Sequence, residues 1–161
     1  MRLRVLASGF LLAAMMATAP GARAALLPDG GVTAEDVANV MRGHGLTVSI
    51  GKDGSGDPKI RSALGGVKYS VYFYECHHQP RCQSIEFSAG FGSGYFPAKA
   101  LSRVNEWNMT KRFGKAYVTR DKALFVEYDI DLEHGATTEA VLNDLVRWED
   151  VLPLFVKYFH Q

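Results

Sequence analysis

The stretch Cys76-His-His-Gln-Pro-Arg-Cys82 puts two thiols and two imidazoles on one short loop. Those atoms could bind zinc, arm a nucleophile or close a disulfide. A zinc site needs four ligands converging tetrahedrally, and adjacent His residues on a short loop do not converge. A nucleophilic thiol needs a base aimed at it, and a sequence neighbour has no advantage there. In an exported chain an even pair of cysteines at this spacing reads as a Cys76–Cys82 disulfide. Closing so small a loop stabilises by about 2 kcal/mol in the chain-entropy account. Glu127, Asp129 and Asp131 alternate along one predicted strand and are the best remnants of an acid–base or calcium site. Same-face residues on one strand repeat at about 7 Å, too far apart for a cage built from that strand alone. Asp53-Gly-Ser-Gly-Asp57 opens like an EF-hand loop, but Pro58 and Leu64 stand where that loop needs its Gly and its bidentate Glu. Gly90-Phe-Gly-Ser-Gly94 has Tyr95 in place of the last fingerprint Gly and lacks the Gly-Lys-Ser/Thr of a phosphate loop. These two segments read as a turn and a flexible connection. No catalytic residue, metal ligand set or cofactor motif can be assembled, so the reading is non-enzymatic.

The densest mixture of residue types is Asn105-Glu-Trp-Asn-Met-Thr-Lys-Arg-Phe-Gly-Lys-Ala-Tyr117. On a helix from Pro97 to Arg112, Ala100, Val104 and Trp107 share one arc, and Asn105, Asn108 and Arg112 border it. A buried unpaired amide is costly, so these Asn side chains are expected to bond loop or sheet backbone. Gly114 is placed as the C′ residue, with Lys111, Arg112 and Lys115 where the helix dipole favours cations. Asn105, Trp107, Asn108, Arg112 and Gly114 therefore read as a structural corner. The alternative is a small-ligand pocket shared with the Gly90–Gly94 loop.

The elements around these residues follow from period and punctuation. Arg2 and Arg4, an apolar run from Val5 to Ala19, and Ala22-Arg23-Ala24 form a secretory leader, residues 1–24, cut after Ala24. The rest, 25–161, is expected to be one domain and periplasmic or secreted, with no membrane association after cleavage. The whole chain carries a formal charge of +1, and removing the three Arg of the leader leaves acids in slight excess. Such a balance offers no footprint for nucleic acid. Thr33 to Gly43 has a Thr33/Asp36 capping pattern and an apolar arc that includes His44 at its edge. Short strands flank the Asp53 turn. Val67 to Tyr74 and Ser84 to Phe91 alternate as a hairpin whose tip the cysteines staple. Lys115–Thr119 and Ala123–Leu132 are two more strands around a tight Arg-Asp turn. Thr138 to His160 is an amphipathic helix that Pro153 kinks or splits. Beyond Pro153 it is apolar nearly all round, which suggests self-association through the C-terminal helix.

Four strings, "GDPKIRS", "SVYFYEC", "CQSIEFSAGF" and "NEWNMTKRFGKAY", occur in this order. Together they resemble the YbjN family of bacterial proteins, labelled sensory transduction regulators, over roughly Val32 to Phe159. Here "TRDKALF" replaces a more acidic, Gly- or Pro-containing turn. The resemblance implies an α+β fold similar to type III secretion chaperones: an antiparallel sheet of five to six strands, helices on one face, order α-β-β-β-β-α-β-β-α. It implies no catalytic residue and no cofactor. The sheet's mixed face interleaves Tyr72, Tyr74, Tyr117 and Phe125 with Ser and charged residues, a composition suited to protein contact. The expected function is that of an exported protein-binding, chaperone-like or regulatory module. The alternatives are a small-ligand or envelope-stress sensor and, behind it, an enzyme. Whether the last helix covers the mixed face stays open at this level.

Overall fold

The computed structural model describes residues 24–27, 30–76, 80–92 and 100–160. Residues 1–23 of the leader, Pro97, His77, His78, and Ser93 and Gly94 of the glycine segment lie outside them. Strand β1 (Leu26–Leu27) precedes helix α1 (Ala34–Gly43), then β2 (Ser49–Lys52), β3 (Pro58–Leu64), β4 (Val67–Tyr74) and β5 (Ser84–Phe91). Helix α2 (Ala100–Thr110), β6 (Lys115–Val118), β7 (Leu124–Asp131), β8 (Ala136–Thr137) and α3 (Thr138–Phe159) complete the order. Strands β2 to β7 form one six-stranded sheet in the order β2-β3-β4-β5-β7-β6, with every neighbouring pair antiparallel. The expected α+β architecture is therefore present. The two-residue pair β1–β8 was not expected, because strands that short carry no periodicity to read.

Local chemistry explains the element ends. Thr33 Oγ1 accepts from the Asp36 amide at 3.0 Å, and the Asp36 carboxylate accepts from the Thr33 amide at 2.9 Å, a complete capping box for α1. His44 caps the other end and sits 2.9 Å from the Glu149 carboxylate, tying α1 to α3. At the β2–β3 turn the Asp53 carboxylate accepts from the amides of Ser55 (2.8 Å) and Asp57 (3.0 Å). Those bonds hold the turn. The β6–β7 connection runs Thr119 to Ala123, longer than a two-residue turn, with Lys122 at φ 67° and Thr119 bonded to Ala123 through both backbone and side chain.

Alternation divides the sheet into two faces. Ile60, Val71, Phe73, Ile85, Phe87, Leu124 and Val126 point to one side and are fully buried. Helix α3 lays Val141, Leu145, Trp148, Leu152 and Phe155 against that side, and α1 adds Val37, Ala38 and Met41. The Trp148 ring centroid lies 5.7 Å from those of Tyr69 and Phe87, inside the range of favourable aromatic contact. Pro153 does not split α3, which runs unbroken through it. Part of the apolar excess after Pro153 is packed within the chain, while Leu154 stays 45% exposed. Tyr158 contacts the Trp107 and Phe159 rings, its hydroxyl donates to Glu106 at 2.8 Å, and Arg103 reaches its carbonyl. Cys76 and Cys82 are bonded, S–S 2.11 Å. Buried Cys82 exchanges two 2.9 Å backbone bonds with Val32, so the staple fixes the hairpin tip beside the start of α1.

Candidate functional site

The described helices pack on the apolar face, and none of them lies over the mixed one. The ladder register gives this open face its chemistry. One cross-strand row reads Lys59, Tyr72, Glu86, Asp129, and the next reads Arg61, Ser70, Ser88, Glu127, Lys115. A third brings Gly90, Phe125 and Tyr117 together. Carboxylates that one strand would hold about 7 Å apart are thus joined by a neighbouring strand at about 5 Å.

Lys115 is the centre of the acidic half. Its ammonium stands 3.2 Å from Glu86, 3.4 Å from Glu127 and 3.1 Å from Asp129. Glu86 and Glu127 are buried, although they are on the open side, because tall aromatic neighbours wall them in. The Tyr74 hydroxyl donates to Glu86 at 3.1 Å, while Tyr117 (2.7 Å) and Ser88 (3.1 Å) both donate to Glu127. Burial, a hydrogen bond with Asp129 and the charge of Glu127 raise the Glu86 carboxyl to about 7, with Lys115 opposing. Burial lowers the Lys115 ammonium, but its bonds to Asp129 and Glu86 and their charges outweigh that and hold it above the ordinary lysine value. Tyr74 and Tyr117 are both raised, by burial first and then by the carboxylates they bond. The ammonium takes the place a metal cation would need among these carboxylates, so the cluster is an ion network that keeps an excess of negative charge. Asp131 stands apart from it, accepting from the Glu133 amide at 3.0 Å.

The aromatic residues form the rim. Tyr74 is 42% exposed and Tyr117 37%. Tyr117 stacks on Phe125 with centroids 5.3 Å apart and planes 6° from parallel. Phe125 in turn lies over Gly90, where an added Cβ would meet its ring at 2.5 Å. Gly90 is therefore a strand residue beneath a ring and not part of a flexible loop. Lys59 donates to the Tyr72 hydroxyl at 2.6 Å and lies 4.1 Å from the ring centroid. Between the halves a cavity of about 310 Å³ is lined by Arg61, Lys68, Ser70, Tyr72, Ser88 and Phe125 among others.

The Asn105–Tyr117 stretch builds a different feature. Trp107 Nε1 donates to the Gly114 carbonyl at 2.7 Å. Asn108 donates to the Ala116 carbonyl and accepts from the Ala116 amide, both at 2.9 Å. Ala116 lies on β6, the sheet edge, so Asn108 satisfies edge groups that would otherwise be unpaired. Two expectations need correction. Helix α2 stops at Thr110, not Arg112, and Gly114 (φ 79°) serves the separate turn into β6 instead of the helix C′ position. The chain must unwind there for Trp107 to reach the Gly114 carbonyl. Asn105 is exposed and makes none of the corner's hydrogen bonds. Beside the corner a groove of about 360 Å³ runs between Trp107, Phe113 and the α3 residues Val146, Val151 and Leu154. Arg112 and Arg147 flank the Phe113 ring, at 5.6 and 4.6 Å from its centroid.

Sequence reasoning singled out Tyr72, Tyr74, Tyr117 and Phe125 for this face and missed Glu86 and Lys115 as the members that organise it. Their alternation with apolar neighbours was visible, but their convergence depends on the β5–β7 and β7–β6 registers. Among the described residues no helix is long and apolar enough to cross a membrane. The family model YbjN, described as "Putative bacterial sensory transduction regulator", matches residues 33–161. Nothing among curated proteins or solved structures matches the chain.

Proposed function

The chain belongs to the YbjN family, and we propose that it is an exported, non-enzymatic protein-binding module, chaperone-like or regulatory, whose contact surface is the open face of the sheet. The observation that carries this reading is the aromatic rim, Tyr74, Tyr117 and Phe125, left uncovered by the described helices and standing over an ion network whose Glu86 and Glu127 are buried. Apolar faces of antiparallel sheets are normally buried and the other face solvated with simple polar residues. This face instead offers rigid aromatic area beside adaptable hydroxyls and both signs of charge, as protein-binding surfaces do. The network supports binding and not turnover, because its carboxylates are spent on Lys115, Tyr74, Tyr117 and Ser88. Export rests on the basic and apolar leader, and an intact disulfide is what an oxidising compartment would preserve.

The test is capture in the host with a short cross-linker, comparing the wild type with a Tyr72→Glu/Tyr74→Glu variant of native circular dichroism. The reading expects a discrete adduct with the wild type that the variant loses. Equal adducts in both would move the contact off this face. Cell fractionation and N-terminal sequencing of the recovered chain test export, with Ala25 as the expected first residue. The small-ligand reading finds its best support in the groove beside Phe113, and a rise in melting temperature with an envelope metabolite, removed by Phe113→Ala, would favour it.

A further inference from the structure

The open face is divided by charge, and the division is symmetric about the middle of the sheet. On the β3–β4 side it presents Lys59, Arg61 and Lys68. On the β5–β7–β6 side it presents Glu86, Glu127, Asp129 and Asp131, with Lys115 cancelling one charge. With every carboxylate ionised the two halves carry equal and opposite net charge. In the strand order β2-β3-β4-β5-β7-β6 the midline falls between β4 and β5, so β3 and β7 are equidistant from it.

We infer that the occupant of this face is a second copy of the chain, docked face to face about a two-fold axis that runs along the strands at the β4–β5 midline. This rests on the face being the contact surface. An isologous contact between two faces has its axis in the interface plane. If that axis ran across the strands, each basic half would meet a basic half. If it runs along them, β3 lies over the partner's β7 and each row keeps its height. Lys59 then faces Asp129 of the other copy, Arg61 faces Glu127, and the Tyr72 hydroxyl faces Glu86. Complementary charge selects this axis and rejects the other. The size fits as well. Strands of four, seven, eight, eight, eight and four residues project about 600 Å² per copy at about 3.3 Å per residue and 4.8 Å per strand. Side-chain relief brings that near the ~800 Å² per partner of a standard interface. The β6 edge, by contrast, is closed to strand pairing by Asn108.

Sedimentation velocity of the full chain over about 1 to 300 µM, at about 50 and 500 mM salt, reads the association and its screening. We expect a dimer that forms with concentration and weakens by about ten-fold or more at the higher salt. Lys59→Glu and Asp129→Lys should each lose about ten-fold or more in affinity, because each puts like charges together at both symmetry-related contacts. Mixing the two variants should restore a heterodimer, since both contacts then pair opposite charges again. That rescue also shows that both variants fold. Independently, a short bis-maleimide should join Lys59→Cys of one copy to Asp129→Cys of another and should not join two Lys59→Cys copies. A chain that stays monomeric throughout, or a dimer that survives both reversals, overturns the inference. If the chain is monomeric yet host adducts still form through Tyr72, the second copy is excluded and the protein-binding reading stands. If those adducts are absent too, both fall.

Discussion

Lys115→Met removes the only cation among the described residues within 3.4 Å of Glu86 and Glu127, while keeping the length of the side chain. A unit-charge pair at about 3.2 Å is worth about 5 kcal/mol at an effective dielectric of 20. The Lys115 side chain is 54% exposed, so water already screens it, and the net loss should be about 2 kcal/mol. That loss depends on pH. The Glu86 carboxyl, raised to about 7, is protonated at pH 5 and ionised at pH 8. At pH 5 the ammonium therefore serves only Glu127 and Asp129, and its removal should cost about 1 kcal/mol. Without it, Glu86 holds its proton to still higher pH, so the variant's stability falls more steeply with rising pH than that of the wild type. Urea unfolding of both proteins at the two pH values reads the difference. The melting temperature should drop by about 8 °C at pH 8 and about 4 °C at pH 5. Equal losses at both pH values would refute the placement of Glu86 in the network, and no loss at either would refute the network itself.

Glu86→Gln keeps an acceptor for Tyr74 and removes the titrating proton. A raised carboxyl binds its proton more tightly folded than unfolded, so it stabilises fully below about 4.5 and this contribution is lost as pH rises through about 7. The variant should flatten the stability profile between those values in urea titrations, and an unchanged slope would count against the assignment. Asn108→Ala should cost about 2 to 3 kcal/mol in the same assay, because it strands the amide and carbonyl of buried Ala116. Asn108→Asp can only accept and should recover less than half of that. Gly31→Ala should fail to fold or lose more than about 3 kcal/mol, since its Cβ would stand 2.0 Å from the Cys82 carbonyl oxygen at φ 101°. Cys76→Ser/Cys82→Ser should cost about 2 kcal/mol by chain entropy, measurable as a lower melting temperature without loss of the native circular dichroism.

Much of the fold was legible from local chemistry. The Thr33/Asp36 capping box, the Asp53 turn and the alternation of Val67–Tyr74 with Ser84–Phe91 depend on near neighbours, and each is present. The expectation that an amide bordering the α2 apolar face would bond sheet backbone describes Asn108 and not Asn105: both are exposed, but Asn108 is the one that reaches the Ala116 amide and carbonyl on β6. Features that depend on distant register were not legible. Glu127 and Asp129 looked too far apart along their strand to act together. Glu86 and Lys115, from β5 and β6, close the gap only once β7 is placed between them. Nothing local revealed that Tyr158, part of the apolar surface after Pro153, packs on Trp107. The division of the open face into a basic and an acidic half is likewise a property of strand order.

Photo-cross-linking from single positions in the living host tests the central claim most directly. A photoreactive residue at Tyr72, on the open face, is compared with one at Leu154, which is 45% exposed on the helical side. The account predicts discrete adducts from position 72 and none from position 154. Adducts from position 154 with none from position 72 would place the contact surface on the helices and contradict it.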